Sequence, residues 1–301
     1  MRTKKRFSPI IAVVCFAAFT FSYTVIKDYK ISGYNLSTPQ KRLTLPDILM
    51  EISGLTLLDA NTFACVQDEN GVIFIYDIIK NEIKDQYRFN IDGDYEGITR
   101  VENALYVLRS DGVLFEISDY RSKSFKLNSY VTGIPAQNNE GLCYDAVNKK
   151  LLIACKSPIA KGPASRENRA IYAFDLKTKK LDKVPVFNFN VSAIKDFAIK
   201  NKVPLEMKEK KKGQINEPIL RFRTSAIGIH PVSKKLYLLS AADHMIFIFD
   251  MKGNIEYAEK LNVEMFNKAE GITFRDNGDM FITNEGQTRK PTVLIFPYKN
   301  K

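Results

Sequence analysis

Three glutamates in this sequence open the same short phrase: Glu96-Gly97-Ile98, Glu140-Gly141-Leu142 and Glu270-Gly271-Ile272. Two further copies carry serine in first place, Ser53-Gly54-Leu55 and Ser225-Ala226-Ile227. The five copies start 43, 44, 85 and 45 residues apart. If each copy takes the same place in a repeated unit, the glutamates come together. Carboxylates brought face to face repel, so such a cluster must take up protons, pair with cations or hold a metal ion. An all-oxygen set with several carboxylates suits Ca²⁺, whereas Mg²⁺ asks for tighter octahedral geometry.

A second polar column reads Asp68, Ser110, Lys156, Ala241 and Glu285, with Gln67, Arg109, Cys155, Ser240 and Asn284 beside it. It closes a strand antiparallel to the one that carries the glutamates, so it returns to the same end of the fold. Glu285 therefore joins Glu96, Glu140 and Glu270 as the candidate metal-ligating set. Arg109 and Lys156 offer a different outcome, structural ion pairs to Glu96 and Glu140 without a metal. Spacing alone leaves both open.

The elements that would gather these residues follow the same period. After each phrase comes an apolar strand, such as Phe63 to Val66 or Leu151 to Ala154. A stronger one follows, such as Val72 to Tyr76 or Ala170 to Phe174, and then a more polar fourth, such as Gln86 to Ile91 or Val184 to Phe189. Four strands repeating about every 43 residues are the signature of β-propeller blades. The small second residue of each phrase fits a first strand that lines a crowded axis. An orphan strand near Lys41 to Leu45 precedes the first repeat, and the last repeat lacks its fourth strand. Pairing the two closes the ring and removes a free sheet edge. The expected fold is all-β, a five-bladed propeller. The 85-residue gap leaves a six-bladed alternative, but its middle, Ser192 to Lys200, reads as a short helix with Ala193, Ile194 and Phe197 on one face.

Two domains are expected: an N-terminal membrane or signal segment over residues 1–30 and the propeller over 31–301. Arg2, Lys4, Lys5 and Arg6 precede an uncharged run from Phe7 to Ile26, long enough to cross a bilayer as a helix. Positive charge ahead of the run places the propeller outside the cytoplasm. Cleavage after Thr20-Phe21-Ser22 or lipidation at Cys15 are the alternatives, and each still exports the domain.

The net charge of +11 is local. The N-terminal cluster holds part of it, and the stretch from Lys195 to Arg223 forms a basic insertion after the third blade. That distribution argues against a nucleic-acid surface, while the Lys208 to Lys212 run suits either a solvated loop or an anionic lipid surface. Cys65, Cys143 and Cys155 read as buried thiols, with a Cys143–Cys155 disulfide as the alternative. His230 reads as a turn residue and His244 as a surface one. No nucleophile–His–Asp spacing or phosphate-cradling loop is present.

Taken together, the basic-then-apolar amino end and the phrases Ile52-Ser53-Gly54-Leu55-Thr56, Tyr95-Glu96-Gly97-Ile98, Asn139-Glu140-Gly141-Leu142-Cys143-Tyr144 and Ala269-Glu270-Gly271-Ile272-Thr273 resemble the SdiA-regulated family of bacterial envelope proteins. Ile282-Thr283-Asn284-Glu285 adds to the likeness. The resemblance implies a five-bladed propeller, a calcium site and attachment at the cell envelope, with no established enzymatic activity. The expected function is thus a calcium-binding, monomeric binding or structural module, with an envelope protein or anionic lipid as partner. The alternative is a calcium-dependent hydrolase of lactonase or esterase type, in which the metal would activate water and polarise a carbonyl.

Overall fold

Apolar residues fill both faces of the inner strands, so each sheet must be covered on two sides by others like it. The computed structural model describes residues 31–299 except 32, 123, 163, 164, 166 and 209–215. The expected membrane or signal helix and most of the Lys208 to Lys212 run lie outside the described residues. Among the described residues no helix is long and apolar enough to cross a membrane.

The described residues form a five-bladed propeller. Blade 1 runs through Ile52–Leu57, Thr62–Gln67, Val72–Asp77 and Glu82–Arg88, each strand antiparallel to the last. Blade 2 runs through Tyr95–Val101, Ala104–Arg109, Val113–Ser118 and Lys126–Val131. Blade 3 has Asn139–Asp145, Lys150–Cys155 and Asn168–Asp175; its fourth place is split between Lys180–Leu181 and Phe187–Asn190, which both pair with Asn168–Asp175. Blade 4 has Ala226–Ile229, Leu236–Ser240, Met245–Phe249 and Ile255–Lys260. Blade 5 has Ala269–Phe274, Met280–Asn284 and Thr292–Phe296. Its fourth strand is Lys41–Thr44, antiparallel to Thr292–Phe296 with Lys41 opposite Ile295. The orphan strand thus closes the ring as the sequence predicts. Gln40 N donates to Ile295 O at 2.8 Å and Leu45 N to Pro291 O at 2.8 Å, extending the clasp at both ends.

The six-bladed alternative is overturned. The long gap holds a helix, Val191–Lys200, and a two-stranded ribbon, Glu206–Lys208 with Glu217–Ile219. Asn190 caps the helix by accepting from Ala193 N at 2.8 Å. Val191, Ile194 and Ala198 are its buried face, with Phe197 packed alongside; Ala193, expected on that face, is exposed.

Five apolar clusters sit one at each blade interface. The second strand of blade 3 shows why: Leu151, Ile153 and Cys155 face blade 2, whereas Leu152 and Ala154 face blade 4. This is the period of two with both faces buried. The cluster between blades 4 and 5 also takes in Ile31, Tyr34 and Leu36 from the segment ahead of the closing strand. Cys65, Cys143 and Cys155 are free and buried. Cys143 pairs in register with Leu152 and Cys155 with Asn139, so the two sulfurs are not opposed and the disulfide alternative falls. Burial pushes all three thiols upward.

The aspartates that end the third strands, Asp77, Asp175 and Asp250, each accept backbone N–H bonds from the following turn and so start the fourth strand.

Candidate functional site

The residue that opens the repeated phrase occupies a special backbone position. In blades 1, 2, 3 and 5 the pairing of the first two strands slips at this point, between Ile52 and Leu55, Tyr95 and Gly97, Asn139 and Gly141, and Ala269 and Gly271. A bulge of this kind inserts an unpaired residue and re-aims its side chain. The small residue after it answers a steric need. A Cβ on Gly97 would stand 2.8 Å from Leu142 Cβ, and one on Gly54 2.8 Å from Ile98 N in the neighbouring blade. The first strands therefore approach one another closely round the axis.

Glu96, Glu140 and Glu270 line one axial cavity, together with Leu55, Ile227 and Ile272. It encloses about 10 Å³ of water-sized space, room for roughly a single water or ion. Glu285 is not among its lining residues. It sits buried beside it, bound to Lys268 at 2.6 Å. Lys268 Nζ also lies 3.5 Å from Glu270 Oε1. On the other side Lys156 forms an ion pair with Glu140, which is almost wholly buried. Both cations are partly exposed, so they reach inward from the rim.

These pairs do not balance the ring. Burial raises Glu96 to about 9, and Glu140, Asp94 and Glu270 push it the same way against the pull of Lys156. Burial and Glu140 raise Glu270 to about 8, opposed by Lys268. Glu140 is also raised, chiefly by burial, despite Lys156. Burial alone would lower Lys156, but Glu140, Glu270 and Glu96 outweigh it and hold its ammonium above the ordinary value. Nearby, Asp68 rises to about 7 through burial, Glu51 and Glu285.

The ion-pair expectation divides. Lys156 does pair with Glu140, but Arg109 does not pair with Glu96. Its guanidinium makes a two-pronged contact to Asp111 at 3.0 and 2.8 Å and lies over the Phe115 ring. Asp111 is two residues away at a tight turn, so it captures Arg109 locally. Among the described residues Glu96 has no ion-pair partner. Lys268 lies outside both polar columns that the sequence marks. It stands two residues before Glu270, the offset at which Asp94 precedes Glu96, and that shared offset was the available signal.

The serines of the ring have other work. Ser53 Oγ donates to Tyr95 O at 2.6 Å, and Ser225 Oγ to Ala269 O at 2.7 Å. Each thus clamps its blade to the backbone just ahead of the next blade's glutamate. Of the two histidines, His244 is half-buried with Nδ1 3.1 Å from Phe266 O. His230 does sit at a turn, where Nδ1 accepts from Ser233 N at 2.9 Å, but it is fully buried. Its Nε2 lies 2.8 Å from Tyr34 Oη, and burial lowers its ring to about 4.

The donor chemistry of the cavity suits a hard cation, since its polar side chains are all carboxylates. Glu140 Oε2 is buried and has no hydrogen-bond partner among the described residues. The buried amide oxygens of Asn139 and Asn284 share that condition. No cluster of three or more His, Cys, Asp or Glu ligands is preassembled among the described residues. Lys156 and Lys268 already engage two of the acids, Glu140 and Glu285.

Fold and axis together define a five-bladed propeller with an acidic central channel. The sequence matches the SdiA-regulated family over residues 28–288, and the chain belongs to that family. No curated protein matches it. Among solved structures, glutaminyl cyclase from Myxococcus xanthus is similar in fold, with a TM-score of 0.55 at 14% identity over 87% of this chain and 97% of that one. A streptogramin B lyase gives 0.47 at 12% identity over 85% and 97%.

Proposed function

We propose that this chain is a calcium-binding propeller module of the bacterial cell envelope, tethered through its amino-terminal segment, in which the axial acids hold the ion and the rim engages a partner. The observation that carries the calcium reading is the convergence of Glu96, Glu140 and Glu270 on one narrow cavity with too little positive charge to balance them. Those three would hold the ion. Glu285 would contribute once Lys268 releases it. The bound ion would supply positive charge at the axis and tie three blades to one point. The tether rests on the basic head and uncharged run of residues 1–26.

Thermal melting of the full chain tests the metal. A cation that binds only the folded state raises Tm as its concentration rises. Ca²⁺ is expected to raise Tm relative to chelator, and Glu140→Gln to abolish most of that rise. Equal Tm values with Ca²⁺ and with chelator would sink the metal reading and leave a protonated, ion-paired ring. A panel of lactones and esters, with and without Ca²⁺, is expected to show no turnover; metal-dependent hydrolysis would replace the module reading with a hydrolase.

A further inference from the structure

The segment ahead of the closing strand is fastened to the end of the propeller opposite the channel mouth. Each blade's first strand runs away from the mouth, so the turns joining first to second and third to fourth strands lie at this far end. Tyr34 Oη donates to Gly278 O in the far turn of blade 5. In the far turn of blade 4, His230 Nδ1 accepts from Ser233 N, so Nε2 carries the proton and donates to Tyr34 Oη at 2.8 Å. Lys299 N donates to Gly33 O at 2.8 Å. Tyr34 N donates to Ile31 O at 3.3 Å, which turns Ile31 back toward the same end, and Ile31 is itself buried. Ile31 is thus a fixed point on the body. Residues 27–30 separate it from Ile26, where the uncharged run ends. Even fully extended, the five steps from Ile26 to Ile31 reach roughly 17 Å. A bilayer that holds the run must then lie within that distance of the blade 4–5 edge.

The far turns of blades 3 and 4 suit such a surface. They are residues 145–150, 175–180, 230–235 and 250–254. Three tips expose apolar side chains: Val147 is 81% exposed, Val232 40% and Met251 38%. An exposed lysine stands close to each in sequence, Lys149, Lys234 and Lys252, and the remaining turn exposes Lys177 and Lys180. The four turns hold eight lysines and three aspartates. Asp145, Asp175 and Asp250 accept backbone N–H bonds within their own turns. Lys150, Lys179 and Lys235 are paired with Asp182, Glu116 and Glu256. With all six carboxylates counted, two positive charges remain in excess. Glu102 and Asp119 of blade 2 line the neighbouring groove, and Arg100 and Arg121 match them in number. The mouth end differs: it gathers Glu51, Asp68, Asp94 and Glu285 against Lys156 and Lys268.

We infer that the far ends of blades 3 and 4 rest on an anionic lipid bilayer, with Val147, Val232 and Met251 entering the headgroup layer and the flanking lysines facing lipid phosphates. The inference rests on the tether of the proposed function and adds the surface and the orientation. Binding to such a layer grows with the apolar area buried in it and with the attraction of basic side chains to anionic headgroups. The short reach from Ile26 to Ile31 keeps the turns close to the bilayer. In this pose the channel mouth and its acids point away from the membrane, open to soluble ions and partners.

The chain has no tryptophan, so Met251→Trp, Val232→Trp and, at the mouth end, the exposed Val131→Trp each add a single reporter. Each full-length variant is reconstituted into vesicles of phosphatidylcholine and phosphatidylglycerol with plain or brominated acyl chains. Bromine is expected to quench the first two reporters about twofold and to leave the third bright, with less quenching in phosphatidylcholine alone. Adding Lys234→Glu and Lys252→Glu to Met251→Trp should remove most of the quenching while leaving Tm in detergent unchanged. Retained quenching in that variant, or equal quenching at the mouth end, would overturn the inference. So would emission that shifts blue with protein concentration and not with lipid, which would assign the face to a second copy of this chain. Sedimentation with vesicles after an alkaline wash reads the tether separately. A chain that washes off defeats the tether and the docking with it; a chain that stays while Met251→Trp remains unquenched defeats the docking alone.

Discussion

In blades 2, 3 and 5 the first residue of the repeated phrase is a glutamate that lines the axial cavity; in blades 1 and 4 it is a serine that bonds the neighbouring blade. Blade 1 shares the slipped pairing of blades 2, 3 and 5, so among these blades the side chain decides the role. A short hydroxyl reaches the adjacent carbonyl and satisfies it. A carboxylate cannot donate when ionised, so it is left facing its counterparts across the channel. Blades 1 and 4 therefore contribute cohesion between blades, and blades 2, 3 and 5 contribute ionisable carboxyls at the centre.

The sharpest way to break this comparison is pH. Glu96 and Glu270 are raised in the fold to about 9 and about 8 from an ordinary 4.5. Between those limits the folded state holds more protons than the unfolded chain, so stability falls as pH rises. The slope reaches up to about 1.4 kcal/mol per pH unit for each group titrating alone. Urea midpoints in chelator should drop from pH 5.5 to 8.5, and Glu96→Gln or Glu270→Gln should flatten the drop. Ca²⁺ should flatten it in the parent chain. A level profile in chelator would show that the glutamates are not crowded as described.

Lys156→Met comes next. It leaves Glu140 buried without its cation, which should cost about 3 kcal/mol by chemical denaturation, with most of the loss recovered in Ca²⁺. Loss without recovery would mean that Lys156 serves Glu140 as a structural partner alone.

The serines sharpen the other half of the comparison. Ser53→Ala and Ser225→Ala each strand a buried carbonyl, which should cost about 1–2 kcal/mol in the same assay. Neither should alter the pH slope or the Ca²⁺ response. The smallest effect is expected for Arg109→Met, because Arg109 pairs with Asp111 near the surface. Such pairs contribute less than about 1 kcal/mol, and the Ca²⁺ response should be unchanged; a changed response would return Arg109 to the axis.

The phrase and its period made the ring legible before any coordinates, because a repeated backbone solution leaves repeated residue types. Gly54 and Gly97 are small for the reason the sequence suggested: the next blade leaves no room for a Cβ. The convergence of Glu96, Glu140 and Glu270 followed from the same symmetry. What departed from symmetry was harder to read. Arg109 was claimed by Asp111, a local turn contact that the column pattern does not encode. Lys268 belongs to a column whose members change sign, Asp94 in one blade and a lysine in another, so no residue type marked it. The serine clamps were hidden because their partners are backbone carbonyls, which have no letter in the sequence. In blade 3 the split fourth strand and the helix after it broke the period altogether, and only the apolar spacing of Ile194 and Phe197 announced the helix.

The closing strand has a consequence for assembly in time. Lys41–Thr44 precedes the first blade along the chain, yet its one strand partner among the described residues, Thr292–Phe296, follows the first four blades. Long-range pairings of this sort come late and slowly. The ring must therefore stay open, with blade 1 and the incipient blade 5 unjoined, until Thr292–Phe296 has been delivered.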